Sequence, residues 1–174
     1  LHVAKLARAR LGLGQVWLLV SPGNPLKPTR GMAPLAERLA SARKISDGRR
    51  IVATAVEAAL GTRFTVDTVR ALRQKFPRAR FVWLMGADNL VQLPRWRNWQ
   101  KLVICMPFAV LPRPSYNPRA LAGLAAQRLR PARLAARAAK TLPAQGAPAW
   151  IFLPAPQHHA SATEIRRRAT GESR

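Results

Sequence analysis

Short apolar runs alternate with helical periodicities from one end of the 174 residues to the other. That alternation admits few architectures, because strands that return to one sheet through helical crossovers build a mainly parallel sheet covered on both faces. The class expected is α/β, Rossmann-like. Strands are expected over 15–20, 49–56, 80–86, 106–113 and 149–154, and helices over 34–45, 66–76, 118–128, 132–140 and 162–169. A further helix over 1–11 carries Val3, Leu6, Ala7 and Leu11 on one face, and Gly12 is placed to end it. This helix starts mid-turn, so the sheet reads as lacking its first central strand. Residues 1–174 are expected to form a single domain. The stretch SPGNPLKPTRGMAP, residues 21–34, holds too much Pro and Gly for regular structure and follows a strand, which marks a ligand-facing loop.

No apolar run approaches the roughly 20 residues that span a bilayer. The N-terminal LHVAKLARARLGLG is basic and amphipathic without a small-residue cleavage site, which argues against a secretory signal and for the cytoplasm. The single cysteine, Cys105, sits in KLVICMPFAV and reads as buried packing. A net charge of +23 raises the alternative of a basic nucleic-acid-binding module. The basic residues are spread along the chain among abundant Ala and Pro, however, as compositional drift would leave them. Dedicated nucleic-acid binding is not expected. A positive field also raises the local concentration of polyanionic nucleotides around an enzyme that uses them.

Four segments carry candidate chemistry. FVWLMGADN, residues 81–89, is a buried strand that delivers Gly86 and Asp88 to its carboxyl end, where open α/β sheets bind ligands. An ionised Asp there accepts from a ribose diol; equally, Asp88 could cap the helix that follows. SATEIRRR, residues 161–168, sets Ser161 and Thr163 at a helix start with Arg166 in the next turn, a phosphate cradle in the making. Ser161 and Glu164 also fit a capping box, and one motif can serve both ends. GTRFTVDT, residues 61–68, runs from a polar turn into a helix with Thr65 at its mouth. PRWRNW, residues 94–99, offers Trp96 and Trp99, either for stacking on a base or pyridine ring or for packing.

Together, SPGNPLK, LAERLASAR, GTRFTVDT, FVWLMGADN, PRWRNW and SATEIR resemble, in order and spacing, the nicotinate-nucleotide adenylyltransferase family of the H-x-G-H nucleotidyltransferases. SATEIR is similar to a phosphate motif shared across that superfamily; GTRFTVDT and GADN with its nearby Trp point to the nicotinate branch. The resemblance implies transfer of the adenylyl group of ATP to nicotinate mononucleotide, with Mg²⁺ assistance, giving nicotinic acid adenine dinucleotide and pyrophosphate. It implies that Gly86 and Asp88 bind the adenosine ribose while Ser161, Thr163 and Arg166 hold and stabilise the ATP phosphates. Thr65 and Trp96 would form the nicotinate pocket, with Asn24 and Lys27 as further nucleotide contacts. A relative acting on another phosphate acceptor is the alternative within this superfamily. Family members open with a strand and an H-x-G-H loop ahead of the helix that resembles LHVAKLA, so the 174 residues alone are expected to be inactive. His2 falls past the second motif histidine. His158 and His159 have no Cys or carboxylate partner at metal spacing, so no protein-held metal is expected.

Overall fold

The computed structural model describes residues 1–23 and 32–155. Asn24, Lys27, His158, His159, Ser161, Thr163, Arg166 and the helix expected over 162–169 lie outside the described residues.

Helix α1 (His2–Leu11) buries Ala4, Ala7 and Leu11, one face at helical spacing. It stops at Gly12, whose φ of 65° lets its N–H turn back to the Arg8 carbonyl. Strand β1 (Val16–Leu19) follows, then helix α2 (Leu35–Ile45) and strand β2 (Ile51–Thr54), which pairs with β1 in parallel with Val16 opposite Ile51. A tight turn launches β2. The exposed Asp47 carboxylate accepts from the backbone N–H groups of Arg49, Arg50 and Ile51 at 2.9, 2.7 and 2.8 Å. Those bonds, Ile51's first and Arg49's next, hold its carboxyl below its ordinary 3.8. A depressed carboxylate contributes stability above its ordinary value and loses it as the pH falls through the folded one. Asp47→Asn is therefore expected to melt earlier than the parent near neutrality, with the gap closing through the acid range. Thermal melts across an acid pH series check this, and a gap that stays constant would contradict it.

The remaining elements are α3 (Val56–Ala59), α4 (Thr65–Lys75), β3 (Trp83–Gly86), α5 (Ala87–Gln92), α6 (Trp99–Cys105), β4 (Phe108–Leu111), α7 (Asn117–Ala122), α8 (Leu124–Arg128), β5 (Arg133–Leu134) and β6 (Trp150–Phe152). Four strands form a parallel sheet in the order β3-β4-β6-β5. Strand β4 is buried at every residue, which places it centrally. Its side chains divide by parity. Phe108 and Val110 join a cluster with α4 to α8, whereas Ala109 and Leu111 pack with Ala7 and Leu11 of α1 and with Leu142. Helices thus cover both faces, as the alternation predicts. Phe108 stacks on Trp150 with ring centroids 5.6 Å apart and planes 8° from parallel, an offset arrangement that adds about 1 kcal/mol to the burial of the rings.

Three readings need correction. The helix expected over 118–128 is two, parted at Gly123, whose backbone is extended (φ −74°, ψ 161°). No α-helix forms over 132–140. Arg133 and Leu134 pair instead with β6, and a 3-10 stretch (Ala136–Ala144) follows, with non-helical backbone at Ala138 and Pro143 inside it. Proline cannot donate to a helical ladder, and the sheet edge offers the backbone better partners than the helix that the Ala-rich composition favours. The strand expected over 49–56 gives way to helix at Val56. Cys105 is half-buried against the larger core cluster.

The strands fall into two sheets. Strand β1 is bonded only to β2, and β3 only to β4, among the described residues. Between their unpaired edges runs a long cleft. No helix among the described residues is long and apolar enough to cross a membrane.

Candidate active site

The cleft encloses about 1200 Å³. Trp17 and Leu18 of β1 form one wall and Phe81, Trp83 and Leu84 the other. Trp17 meets Phe76 and Phe81 edge to face at 5.8 and 5.9 Å. The Trp83 indole N–H is buried without a hydrogen-bond partner. Towards the carboxyl ends of the strands the lining turns polar, with Ser21, Glu57, Thr65, Asn89, Trp96 and Arg97.

Thr65 is the first residue of α4, which starts after Phe64 in extended conformation (φ −110°, ψ 139°) and has no side-chain cap. The first N–H groups of a helix have no intrahelical partner and carry partial positive charge. Here that helix end, Phe64 and Thr65, lines the cleft. The turn before them needs Gly61, at φ 63°. It is braced by Glu57, a carboxylate only 6% exposed. Thr62 N–H donates to the Glu57 carbonyl at 2.9 Å, the Thr62 and Thr68 hydroxyls lie 2.8 Å apart, and the Thr68 hydroxyl donates to Glu57 Oε1 at 3.3 Å.

The two tryptophans of PRWRNW separate. Trp99 opens α6 and is buried in the core, 6% exposed. Trp96 is only half-buried, rests on the core from outside and lines the cleft. It is held there by the 3-10 turn Leu93–Arg95, whose Leu93 is fully buried. Thr65 and Trp96 are therefore brought to one cavity.

Gly86 and Asp88 lie beside the cleft rather than in its lining, at the carboxyl end of β3. Asp88 makes no capping bond to α5, which removes the helix-cap alternative. Its Oδ1 is buried, lacks a hydrogen-bond partner, and faces Arg113 Nε at 3.6 Å. A Cβ on Gly86 would overlap that Oδ1 and stand 3.0 Å from Arg113 Nε, so only glycine leaves room for the pair. Arg113, just past β4, had no signal in the sequence.

Nor did Arg38 of α2. It ties both ends of the 21–34 loop, donating from Nη1 to the Ser21 carbonyl at 2.7 Å, from Nη2 to Pro22 at 3.2 Å and from Nε to Ala33 at 2.9 Å. Glu57 was likewise missed. It is the only acid among the described residues lining the cleft, against Arg63, Arg80, Arg95 and Arg97. No group of three His, Cys, Asp or Glu side chains among the described residues could hold a metal ion.

The polar cleft lies at the strand ends of an open parallel α/β fold, and the model for the cytidylyltransferase-like family, a nucleotidyltransferase class, matches residues 1–168. A probable nicotinate-nucleotide adenylyltransferase of Gluconacetobacter diazotrophicus is 57% identical over 169 residues, spanning 97% of this chain and 79% of the relative. One from Gluconobacter oxydans is 55% identical, over 95% of this chain and 85% of the relative. The chain belongs to the nicotinate-nucleotide adenylyltransferase family. The fold is similar to that of Plasmodium falciparum nicotinic acid mononucleotide adenylyltransferase complexed with APC, with a TM-score of 0.54 at 12% identity over 93% of this chain and 68% of that one.

Proposed function

We propose that this protein transfers the adenylyl group of ATP to nicotinate mononucleotide, releasing pyrophosphate and giving nicotinic acid adenine dinucleotide. The observation that carries the reading is the kinship at 57% identity over nearly the whole chain with a probable enzyme of that name. The half-buried Trp96 and the uncapped mouth of α4 in one cleft support it.

In this reading an oxygen of the mononucleotide phosphate attacks the α-phosphorus of ATP, and the bond to the β-phosphate breaks with its electrons going to pyrophosphate. The phosphate is already ionised, so no general base is needed, and catalysis is positioning plus stabilisation of charge. Trp96 stacks on the pyridine ring, and the N–H groups at Thr65 donate to the ring carboxylate. Asp88, whose carboxylate occupies the space that Gly86 leaves, holds the adenosine ribose hydroxyls. Ser161, Thr163 and Arg166 hold the ATP phosphates, with Asn24 and Lys27 as further contacts. Mg²⁺ belongs to this reading as the companion of the ATP phosphates. The net charge of +23 favours the capture of both polyanionic substrates. A reaction fed by ATP fits the cytoplasm.

Trp96→Ala tests the pocket. It is expected to cost roughly 1 to 3 kcal/mol of nicotinate mononucleotide binding, the scale of ring stacking, with ATP affinity nearly unchanged. Calorimetric titration of each nucleotide reads this, and equal losses for both would make Trp96 a packing residue only.

A further inference from the structure

Among the four arginines of the cleft, two share one aromatic ring. Arg97 places its guanidinium carbon 4.6 Å from the centroid of Phe64, and Arg63 places its own at 6.0 Å. Phe64 is the residue immediately before α4, so both charges sit around the uncapped helix mouth, and Arg97 follows Trp96 directly in the chain. We infer that Arg97, with Arg63 beside it, sets the preference of the acceptor pocket for a ring carboxylate over a neutral ring amide. This rests on the function proposed above and adds to it the residue that reads the acceptor's charge.

An exposed arginine is ordinarily mobile and screened, and contributes little to binding at a distance. Stacking on an aromatic face changes that, because it fixes the planar cation in one place while leaving its edge N–H groups free. The helix mouth adds partial positive charge at the same spot. The backbone N–H at Thr65 and the two guanidiniums so assembled are all donors, and none of them can accept. A carboxylate satisfies such a set with two acceptor oxygens. A carboxamide offers one acceptor and turns its NH₂ against donors, leaving groups unpaired at a cost that a charged partner would have avoided. The one acid of the lining does not reverse this, since Glu57 is buried and takes the Thr68 hydroxyl. The common phosphate and ribose of the two mononucleotides cancel from the comparison.

Calorimetric titration of the wild-type protein, Arg97→Met and Arg97→Lys with nicotinate mononucleotide and with nicotinamide mononucleotide tests the inference. The wild type should prefer the nicotinate form. Arg97→Met should weaken that form about three- to tenfold, the scale of one nearby charge in a largely aqueous setting, and weaken the nicotinamide form far less. Arg97→Lys keeps the charge without the planar stack and should fall between. Raising the ionic strength from about 0.05 to about 0.5 M should shrink the wild-type preference more than that of Arg97→Met, because the added salt screens the charge. Equal losses for both mononucleotides, or an unchanged preference, would overturn the inference and leave the proposed function standing. A wild-type protein that binds neither mononucleotide would overturn the proposed function, and the inference with it.

Discussion

Joining a strand and a family-type H-x-G-H loop directly before Leu1 is expected to raise adenylyl transfer by about a thousandfold or more over the 174 residues alone, since each preorganised donor to a developing charge contributes about a hundred- to a thousandfold. The structural reason is the cleft. Strands β1 and β3 each pair on one side, and the apolar residues Leu18 and Leu84 face the space between them. A further parallel strand there would bond to both edges and unite the two sheets, removing edges that otherwise invite association with other chains. It would also cover the orphaned Trp83 N–H and carry the two loop histidines towards the ATP phosphates. Pyrophosphate release from ATP and nicotinate mononucleotide measures the first effect, and the sharpness of the thermal melt measures the second. If the 174 residues matched the extended chain in both, the cleft would be a site already complete.

The proposed ribose contact carries the next largest expected effect. Asp88→Ala is expected to weaken ATP binding by about a hundredfold, because two hydroxyls lose bonds to a charged acceptor worth about 1.5 to 3 kcal/mol each, less what water returns. Gly86→Ala should approach the same loss without touching the carboxylate itself. Its new Cβ would occupy the place of Asp88 Oδ1 and press on Arg113 Nε, so the acid must swing away from its present position. Titration of ATP against both variants, with nicotinate mononucleotide as the control ligand, separates this from general damage. Unaltered ATP affinity in Gly86→Ala would mean that the ribose is held elsewhere.

Much of this architecture was legible in the sequence, and the exceptions have physical causes. Helix α1 announced itself through its apolar face and Gly12, and β4 through a run that no amphipathic element would carry. Helix α6 was hidden because its last residues, LVIC, run on into the apolar stretch that becomes the next strand, and a continuous apolar run does not say where one element yields to the next. Residues 132–140 misled through composition, since propensity favours helix in Ala and Arg while the pairing of Arg133 and Leu134 with β6 decides otherwise. In the cleft, Thr65 and Trp96 stood out as residue types that suit their positions. Arg38, Arg97 and Arg113 did not, because the chain carries 30 Lys and Arg residues and no single cation is conspicuous among them. Glu57 escaped because a carboxylate buried by a later fold contact has no local signature.

The guanidinium of Arg38 closes the ends of the 21–34 loop into a ring fastened at one side chain. With the two ends so fastened, added chain length costs little: each doubling adds only about 0.6 kcal/mol of closure entropy. The parallel β1–β2 register would then be insulated from insertions between Gly23 and Met32. One side chain thus fixes the spacing between the end of β1 and the start of α2 whatever length of chain joins them.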